Sequence, residues 1–124
     1  ISSYSKPLEY IYEANAAIMK AGAFKSVAFK NKLYKLHMHS HLYTSQSLIS
    51  KFPGRSFRVK EVLNPDKISL SKHISGKANL ACRNFPKKVD ILKKKLKLKD
   101  GGDDYVFATT LNNNKPKLIL CSKL

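Results

Sequence analysis

The chain has 124 residues, of which 24 are Lys or Arg and 8 are Asp or Glu, so its formal net charge is +16. This length allows one ordinary domain or two small units that share a core, and it excludes an array of independent domains. Because 43% of the residues are hydrophobic, including six Phe and six Tyr, the chain can bury a core and is not a disordered polybasic tail. The excess positive charge predicts a polyanionic partner, with nucleic acid favoured over an anionic membrane.

The polarity of the sequence and its cysteines exclude further classes. Leu36–Ser50, the longest stretch free of Asp, Glu, Lys and Arg, has 15 residues with three His. It is too short and too polar to cross about 30 Å of hydrocarbon, so we expect no membrane-spanning segment. Because nucleic acid is the favoured polyanion, we also expect no membrane partner. Cys82 and Cys121 are the only cysteines, which excludes a disulfide-dense scaffold and a cysteine-rich zinc site. We expect reduced thiols and a cytoplasmic protein, although two cysteines on neighbouring strands could pair.

The first fifty residues predict a helix followed by an extended segment. Asn15 is predicted to cap a helix that runs to about Lys30, because apolar residues recur at helical spacing between them. Residues 33–43 alternate loosely between apolar and polar side chains, which is compatible with a strand. The chain opens without an initiator Met or an apolar signal segment, so we expect it to be a piece of a longer protein.

A change of composition follows at the turn-forming residues 51–54. We therefore predict a boundary between a sub-domain at 1–50 and a second one at 51–124. The positive charge is concentrated beyond this boundary: residues 51–100 hold fifteen Lys and Arg against four acids, a balance of +11.

The second part predicts two strand–helix units. Arg55–Leu63 is rich in β-forming residues, and Asn64 followed by Pro65 is typical of a helix start. That helix is predicted over residues 66–74, and the next strand over residues 78–83.

A second helix is predicted to open at Phe85-Pro86 and to end at Gly101-Gly102, with Val89, Leu92 and Leu96 as its apolar stripe. Strands at 105–111 and 116–122 then flank an Asn-rich hairpin loop. The predicted order is β-α-β-α-β-β in an α+β fold. Two crossovers imply parallel strands and the last hairpin an antiparallel pair, which together make a mixed sheet.

The densest positive charge lies in residues 83–99, where the only acid is Asp90. The basic residues of this segment are Arg83, Lys87, Lys88, Lys93, Lys94, Lys95, Lys97 and Lys99. Because the apolar stripe occupies one side of the predicted helix, the lysines must spread over the rest, where they can neutralise phosphates and release counterions. Lys rather than Arg favours contacts to the nucleic-acid backbone. The alternative is a solubilising surface without a partner.

Arg55, Arg58 and Lys60 form a second basic group on the predicted strand at 55–63. The two-residue period places Arg58 and Lys60 on one face and Arg55 on the other. These three residues complete the set of candidate nucleic-acid-binding residues. Tyr34, Tyr43 and Phe85 are candidates for stacking on unpaired bases, although such residues more often pack in a core.

Residues typical of metal sites and catalysis are sparse. His37, His39 and His41 would project from one face of a strand, which is a possible metal arrangement. No acid or cysteine lies near them in the sequence, so we favour structural or exposed histidines. The chain holds no Ser-His-Asp arrangement, Walker loop or glycine-rich nucleotide loop. Residues 99–104 lack the spacing of a calcium-binding loop, so we predict no catalytic, metal or cofactor-binding residue in this chain.

Several segments together resemble the C-terminal region of a bacterial family of class I S-adenosylmethionine-dependent methyltransferases. The matching segments are Tyr12–Gly22, His41–Ser45, Phe52–Leu63, Arg83–Pro86 and Leu96–Gly102. The resemblance covers nearly the whole chain, and it rests on the order and spacing of these segments together. The family has Pro where this chain has Ala14, which makes the entry to the first helix less rigid, and an acid where it has Gln46.

The resemblance implies a ferredoxin-like linker piece before the Phe-Pro-Gly junction and a THUMP-like domain after it. THUMP-like domains are associated with tRNA binding in modification enzymes. The resemblance also implies that the S-adenosylmethionine-binding fold, and the Asn/Asp-Pro-Pro-aromatic motif of base-amino methylases, would lie upstream of Ile1. The implied partners are RNA, with tRNA as the expected class, and the methyltransferase domain of the same polypeptide.

Two functional interpretations remain open. In the first, the chain is a non-catalytic region that docks RNA through its lysine-rich surface. In the second, it is a structural module that packs on the catalytic domain or forms a dimer, and its charge is incidental. The net charge favours the first interpretation. A stand-alone basic protein and an independent enzyme are disfavoured by the resemblance and by the lack of catalytic residues.

Overall fold

A computed structural model describes residues 4–14, 17 and 32–124. Its elements in chain order are β1 (Tyr10–Ala14), β2 (Tyr34–Lys35), β3 (Leu42–Ser45), β4 (Gly54–Leu63), α1 (Lys67–Ser71), β5 (Asn79–Arg83), α2 (Val89–Leu96), β6 (Asp104–Thr110) and β7 (Pro116–Lys123). The helix predicted from Asn15 to Lys30 lies outside the described residues.

Among the described residues, seven strands form one sheet in the order β2-β3-β1-β4-β7-β6-β5. The pair β5–β6 is parallel, and the other pairs are antiparallel. The α+β class, the mixed sheet and the β-α-β-α-β-β order after residue 53 are therefore confirmed. One expectation is wrong: β4 and β5 run in the same direction but do not pair, because β7 and β6 lie between them.

In the described part of the chain, α1 and α2 cover one face of the sheet. Leu70 of α1 and Leu92 and Leu96 of α2 are buried, and they pack against Leu118 and Leu120 of β7. Each such side chain contributes about 1.5–3 kcal/mol when it is fully removed from water. Leu92 and Leu96 are four residues apart and so lie on the same side of α2. Their burial determines that the opposite side of this helix faces solvent.

The other face buries residues from both halves of the chain in a single cluster. Ile11 of β1 lies directly opposite Phe57 of β4, and residues in such a pair point to the same face. Phe57 also packs edge-on against Phe107, with ring centroids 4.9 Å apart, and Leu36 and Leu42 join the same cluster. The part before residue 54 and the part after it thus share a core.

The sheet is strongly coiled, so that strands distant in its order come into contact. Four strand spacings separate β1 from β5, a distance of about 19 Å in a flat sheet. Yet Arg83 of β5 donates from Nε to Oε2 of Glu13 on β1 at 2.7 Å. The edge strands meet as well: the Asn84 amide, directly after β5, bonds at 3.1 Å to Nδ1 of His37, two residues after β2. We call the region of these two contacts the seam. It consists of Glu13, His37, Arg55, Arg83, Asn84 and Asn114.

Both helices differ at their ends from the sequence-based expectation. The cap of α1 is Asp66 instead of Asn64, and the helix ends at Ser71 instead of continuing to residue 74. The helix α2 ends at Leu96 because Lys97 adopts a left-handed conformation with φ 53°, before the predicted stop at residues 101–102.

Replacing Asp66 by Ala should lower the free energy of unfolding by about 1 kcal/mol, because its carboxylate accepts from the backbone N–H of Ser69 at 2.7 Å. Urea denaturation followed by circular dichroism measures this loss. The matched variant Asn64→Ala should cost less, since the side-chain oxygen of Asn64 accepts from the ammonium group of Lys117 in an exposed contact and from no helix N–H in the described residues. An equal or larger loss for Asn64→Ala would show that Asn64, and not Asp66, caps α1.

Candidate nucleic-acid interface

The helix α2 and the residues directly before and after it carry most of the exposed charge in the predicted set. Because Leu92 and Leu96 point to the core, the lysines of this segment extend into solvent. Within the described part of the chain, six of them have no carboxylate at ion-pair distance. These are Lys87, Lys88, Lys94, Lys95, Lys97 and Lys99. They form a positive surface that we call the α2 surface.

Two ammonium groups of the α2 surface lie beside each other. Hydrogen bonding to Lys95, and the charge of that group, lower the pKa of Lys87 below its ordinary value. Bringing two like charges together is unfavourable, and an anion placed between them would relieve the repulsion. The side chains of Lys87 and Lys95 are therefore a pair of neighbouring like charges on the α2 surface.

The basic residues of the second predicted group, which lie on β4, are already paired with carboxylates. Arg58 pairs with Glu9 at 3.0 Å, and Lys60 pairs with Asp104 at 2.7 Å. Lys93 of α2 is similarly paired with Asp100 at 2.8 Å. Exposed pairs of this kind are worth about 0–1 kcal/mol each, so a polyanion can compete for the cations at little cost.

Arg55 and Arg83 meet at the carboxylate of Glu13, one on each oxygen. Arg55 Nη2 lies 2.5 Å from Oε1, and Arg83 Nε lies 2.7 Å from Oε2. Burial alone would raise the pKa of Glu13, but hydrogen bonds and charges from the two arginines outweigh it and lower this pKa. The carboxylate is therefore ionised at neutral pH, and the cluster keeps a net charge of +1.

A groove of about 610 Å³ runs along the open edge of β5 and the segment that leads into α2. Its lining residues are Leu80, Ala81, Cys82, Arg83, Asn84, Phe85, Lys87, Lys88 and Val89. The groove brings Arg83, predicted at a strand end, beside Lys87 and Lys88, predicted at a helix start. It is the place where the strand-borne and helix-borne parts of residues 83–99 meet.

The histidines do not share a strand face, because residues 37–41 form a turn between β2 and β3. His37 is buried, and its Nδ1 accepts from the backbone N–H of His39 at 3.1 Å. Its Nε2 lies 3.2 Å from Oδ1 of Asn114 in the β6–β7 loop. His39 and His41 are exposed. Among the described residues, no three His, Cys, Asp or Glu are grouped as metal ligands would be.

The cysteines and the stacking candidates are placed as follows. Cys82 and Cys121 are free and lie on β5 and β7, which are separated by β6, so the two thiols cannot pair. Burial raises the pKa of Cys121 to about 12. Tyr43 is buried. Phe85, which packs against the helix-covered core and also lines the groove, is half-buried, as is Tyr34.

Comparison with known proteins identifies the second part of the chain. The family model described as THUMP domain-like matches residues 54–123, more than half of the sequence. The chain belongs to the THUMP domain-like family. A model described as a ferredoxin-like domain matches residues 10–53, directly before the THUMP-like region. The resemblance to these two kinds of domain is confirmed.

One solved structure extends the comparison over the whole THUMP-like chain and its ferredoxin-like partner. It is a protein of Porphyromonas gingivalis W83, described as a "putative methyltransferase", with 39% sequence identity and a TM-score of 0.83. The match covers 99% of the present chain and 32% of that protein, so the present chain spans about a third of its length. No curated protein matches. No helix in the described part of the chain has the length and apolar character needed to cross a bilayer.

Sequence reasoning missed the roles of two residues that join separate parts of the sheet at the seam. Glu13 lies on β1 at the position facing Arg55 of β4, and its only sequence signal is its alternation with Ile11. His37 was considered as a metal ligand, but the structure uses it to join three loops. Neither role follows from local pattern, because both depend on the coil of the sheet.

Proposed function

We propose that this chain is the non-catalytic, RNA-binding C-terminal region of a bacterial class I S-adenosylmethionine-dependent methyltransferase that acts in the cytoplasm. Its expected substrate class is tRNA. The catalytic fold and the cofactor would belong to the rest of the polypeptide, and we assign no residue of this chain to either. Support comes from the THUMP domain-like family and from the likeness to about a third of the Porphyromonas gingivalis protein.

The observation that carries the proposal is the α2 surface, where six lysines extend without carboxylate partners in the described residues. Clustered ammonium groups gain affinity for nucleic acid by releasing condensed counterions, so the binding weakens steeply as salt rises. Because duplex RNA hides its base edges in a narrow major groove, we expect contacts with phosphates and shape to dominate.

The predicted residues divide into two sets within this function. The six lysines of the α2 surface would contact phosphates directly. The paired residues, Arg55, Arg58, Lys60, Arg83 and Lys93, would contribute only where RNA competes with a carboxylate or uses a donor that the ion pair leaves open. We further propose the functional division at residues 1–50 and 51–124, with the first part a ferredoxin-like linker.

Charge reversal at Lys87 and Lys95, which lie beside each other, provides the test. The double variant Lys87→Glu/Lys95→Glu should weaken binding of total tRNA at least about tenfold at low salt. It should also reduce the slope of log affinity against log salt by about two, one for each lost phosphate contact. Filter binding or fluorescence anisotropy across a salt series measures both quantities.

A matched control separates a local contact from net charge. The double variant Lys6→Glu/Lys123→Glu changes two exposed lysines on other parts of the surface and lowers the net charge by the same amount. It should affect tRNA affinity and salt slope much less. Equal losses of tRNA affinity in the two variants would mean that binding depends on the net charge of the chain and not on the position of Lys87 and Lys95. Unchanged binding in the Lys87/Lys95 variant would favour the alternative of a structural module that packs on the catalytic domain.

A further inference from the structure

Arg83 is held in a way that leaves part of its guanidinium available. Its Nε donates to Glu13 at 2.7 Å, and its Nη1 donates to the backbone carbonyl of Cys82 at 3.0 Å. A guanidinium has five N–H donors, so three remain, on Nη1 and Nη2. Within the described residues these three have no protein acceptor, and the side chain is 39% exposed.

The bonds that Arg83 makes fix the plane of its guanidinium at the groove. The carboxylate of Glu13 is only 17% exposed and is itself held by Arg55 from β4, so it forms a fixed support. Arginine recognises phosphate well because its planar fork matches two phosphate oxygens. When the fork is oriented beforehand, less conformational entropy is lost on binding.

Arg58 shows the opposite arrangement on the same molecule. Its side chain is 60% exposed, and it donates to Glu9 through Nη2, at the end of the guanidinium. The carboxylate there occupies the position that a phosphate would take. Arg83 instead uses Nε and one Nη1 hydrogen for the protein, and its outer end remains open beside Lys87 and Lys88 in the groove.

We propose that Arg83, Lys87 and Lys88 form a phosphate subsite in the groove beside β5, which takes one phosphodiester of the bound RNA strand. Glu13 is its positioning residue, acting through Arg83. This inference rests on the proposed RNA-binding function and deepens it, because it assigns an anchor phosphate to one point of a broad positive surface. The ferredoxin-like region thereby takes part in RNA binding without touching the RNA, since Glu13 belongs to β1.

Two conservative substitutions test the subsite by binding of total tRNA at fixed salt. Arg83→Lys keeps the charge but loses the fork, and it should weaken binding about fivefold or more. Glu13→Gln raises the net charge by one, so electrostatics alone predicts tighter binding, whereas loss of the support should weaken binding about threefold. Arg58→Lys, the same exchange at an arginine whose outer end already faces a carboxylate, should weaken binding much less than Arg83→Lys.

Inorganic phosphate supplies a readout that does not depend on RNA. In the 124-residue chain, titration with phosphate should shift the Nε–Hε NMR signal of Arg83 in a saturable way, and that of Arg58 much less. Circular dichroism at the same temperature shows that each variant is folded. An unmoved Arg83 signal, full tRNA affinity in Arg83→Lys, or tighter binding in Glu13→Gln would overturn the subsite.

The outcomes distinguish the subsite from the function on which it rests. Loss of tRNA binding in Lys87→Glu/Lys95→Glu with full binding in Arg83→Lys overturns the subsite and leaves the RNA-binding function standing. Full binding in both variants overturns both. Loss in both, with the phosphate shift at Arg83, supports the anchor and the surface together.

Discussion

Replacing Phe57 by Ala should destabilise the whole chain by about 3–5 kcal/mol, the range for truncating a buried aromatic side chain. The ring is fully buried and packs against Phe107 at 4.9 Å and Tyr105 at 5.2 Å between centroids. It also shares a cluster with Ile11 and Leu36 from the ferredoxin-like region. Because the cavity would open between the two matched regions, both should lose stability together.

Urea denaturation gives the size of the loss, and amide hydrogen exchange gives its distribution. In Phe57→Ala, protection should fall in β3 as well as in β6, since both strands border the shared core. The control Ile68→Ala removes a side chain that is 72% exposed on α1, and it should change stability by less than about 0.5 kcal/mol. Exchange that rises only in β4–β7 would show that the two regions fold independently.

Local pattern was sufficient to predict most elements after residue 53. The β-rich run before Asn64 gave β4, the alternation of strands and helices gave the α+β class, and the Asn-rich loop gave the β6–β7 hairpin. These signals are short-range, and they identify an element without its neighbours. The helix ends were predicted less well. At the start of α1, both Asn64 and Asp66 are suitable cap residues, and the structure uses Asp66. At the end of α2, Lys97 adopts a left-handed conformation that a lysine does not predict.

The candidate site could be predicted in composition but not in arrangement. Eight basic residues between 83 and 99 were visible in the sequence, and six exposed lysines lie there in the structure. What the sequence could not show is that Arg55, Lys60 and Lys93 face carboxylates. Glu13, Asp104 and Asp100 are 42, 44 and 7 residues away from them along the chain. The first two pairs follow from strand order, and the third follows from the path of the chain after α2. Side-chain periodicity encodes neither.

The coil of the sheet connects stability to the candidate interface. Side-chain contacts, and not backbone pairing, join β5 to the opposite half of the sheet. One contact is the ion pair of Arg83 with Glu13, and the other is the hydrogen bond between Asn84 and His37. Arg55 also lies over the Phe57 ring at 5.3 Å, so the ion-pair cluster and the shared core are in contact. A change in the seam therefore reaches Arg83 and Asn84, two of the residues that line the groove.

Replacing Glu13 by Gln should lower the free energy of unfolding at neutral pH by about 1–3 kcal/mol, because two arginines lose their shared ionic acceptor. The pKa of Glu13 is lower in the folded state than its ordinary value of 4.5. The unfolded chain therefore binds this proton more readily, and the stability that the carboxylate contributes is fully present above pH 4.5. It is lost as the pH falls through the folded-state pKa.

The difference in stability between the wild-type chain and Glu13→Gln should thus be constant from about pH 5.5 to 8 and shrink below pH 4.5. Urea denaturation at a series of pH values measures it, and subtraction cancels the titration of groups that both proteins share. Glu61→Gln, at an exposed carboxylate without an ion-pair partner in the described residues, should change stability by less than about 0.5 kcal/mol. A Glu13→Gln difference that grows as the pH falls would mean that the arginines do not stabilise the ionised carboxylate. In that case Glu13 could not be the fixed support on which the orientation of Arg83 depends.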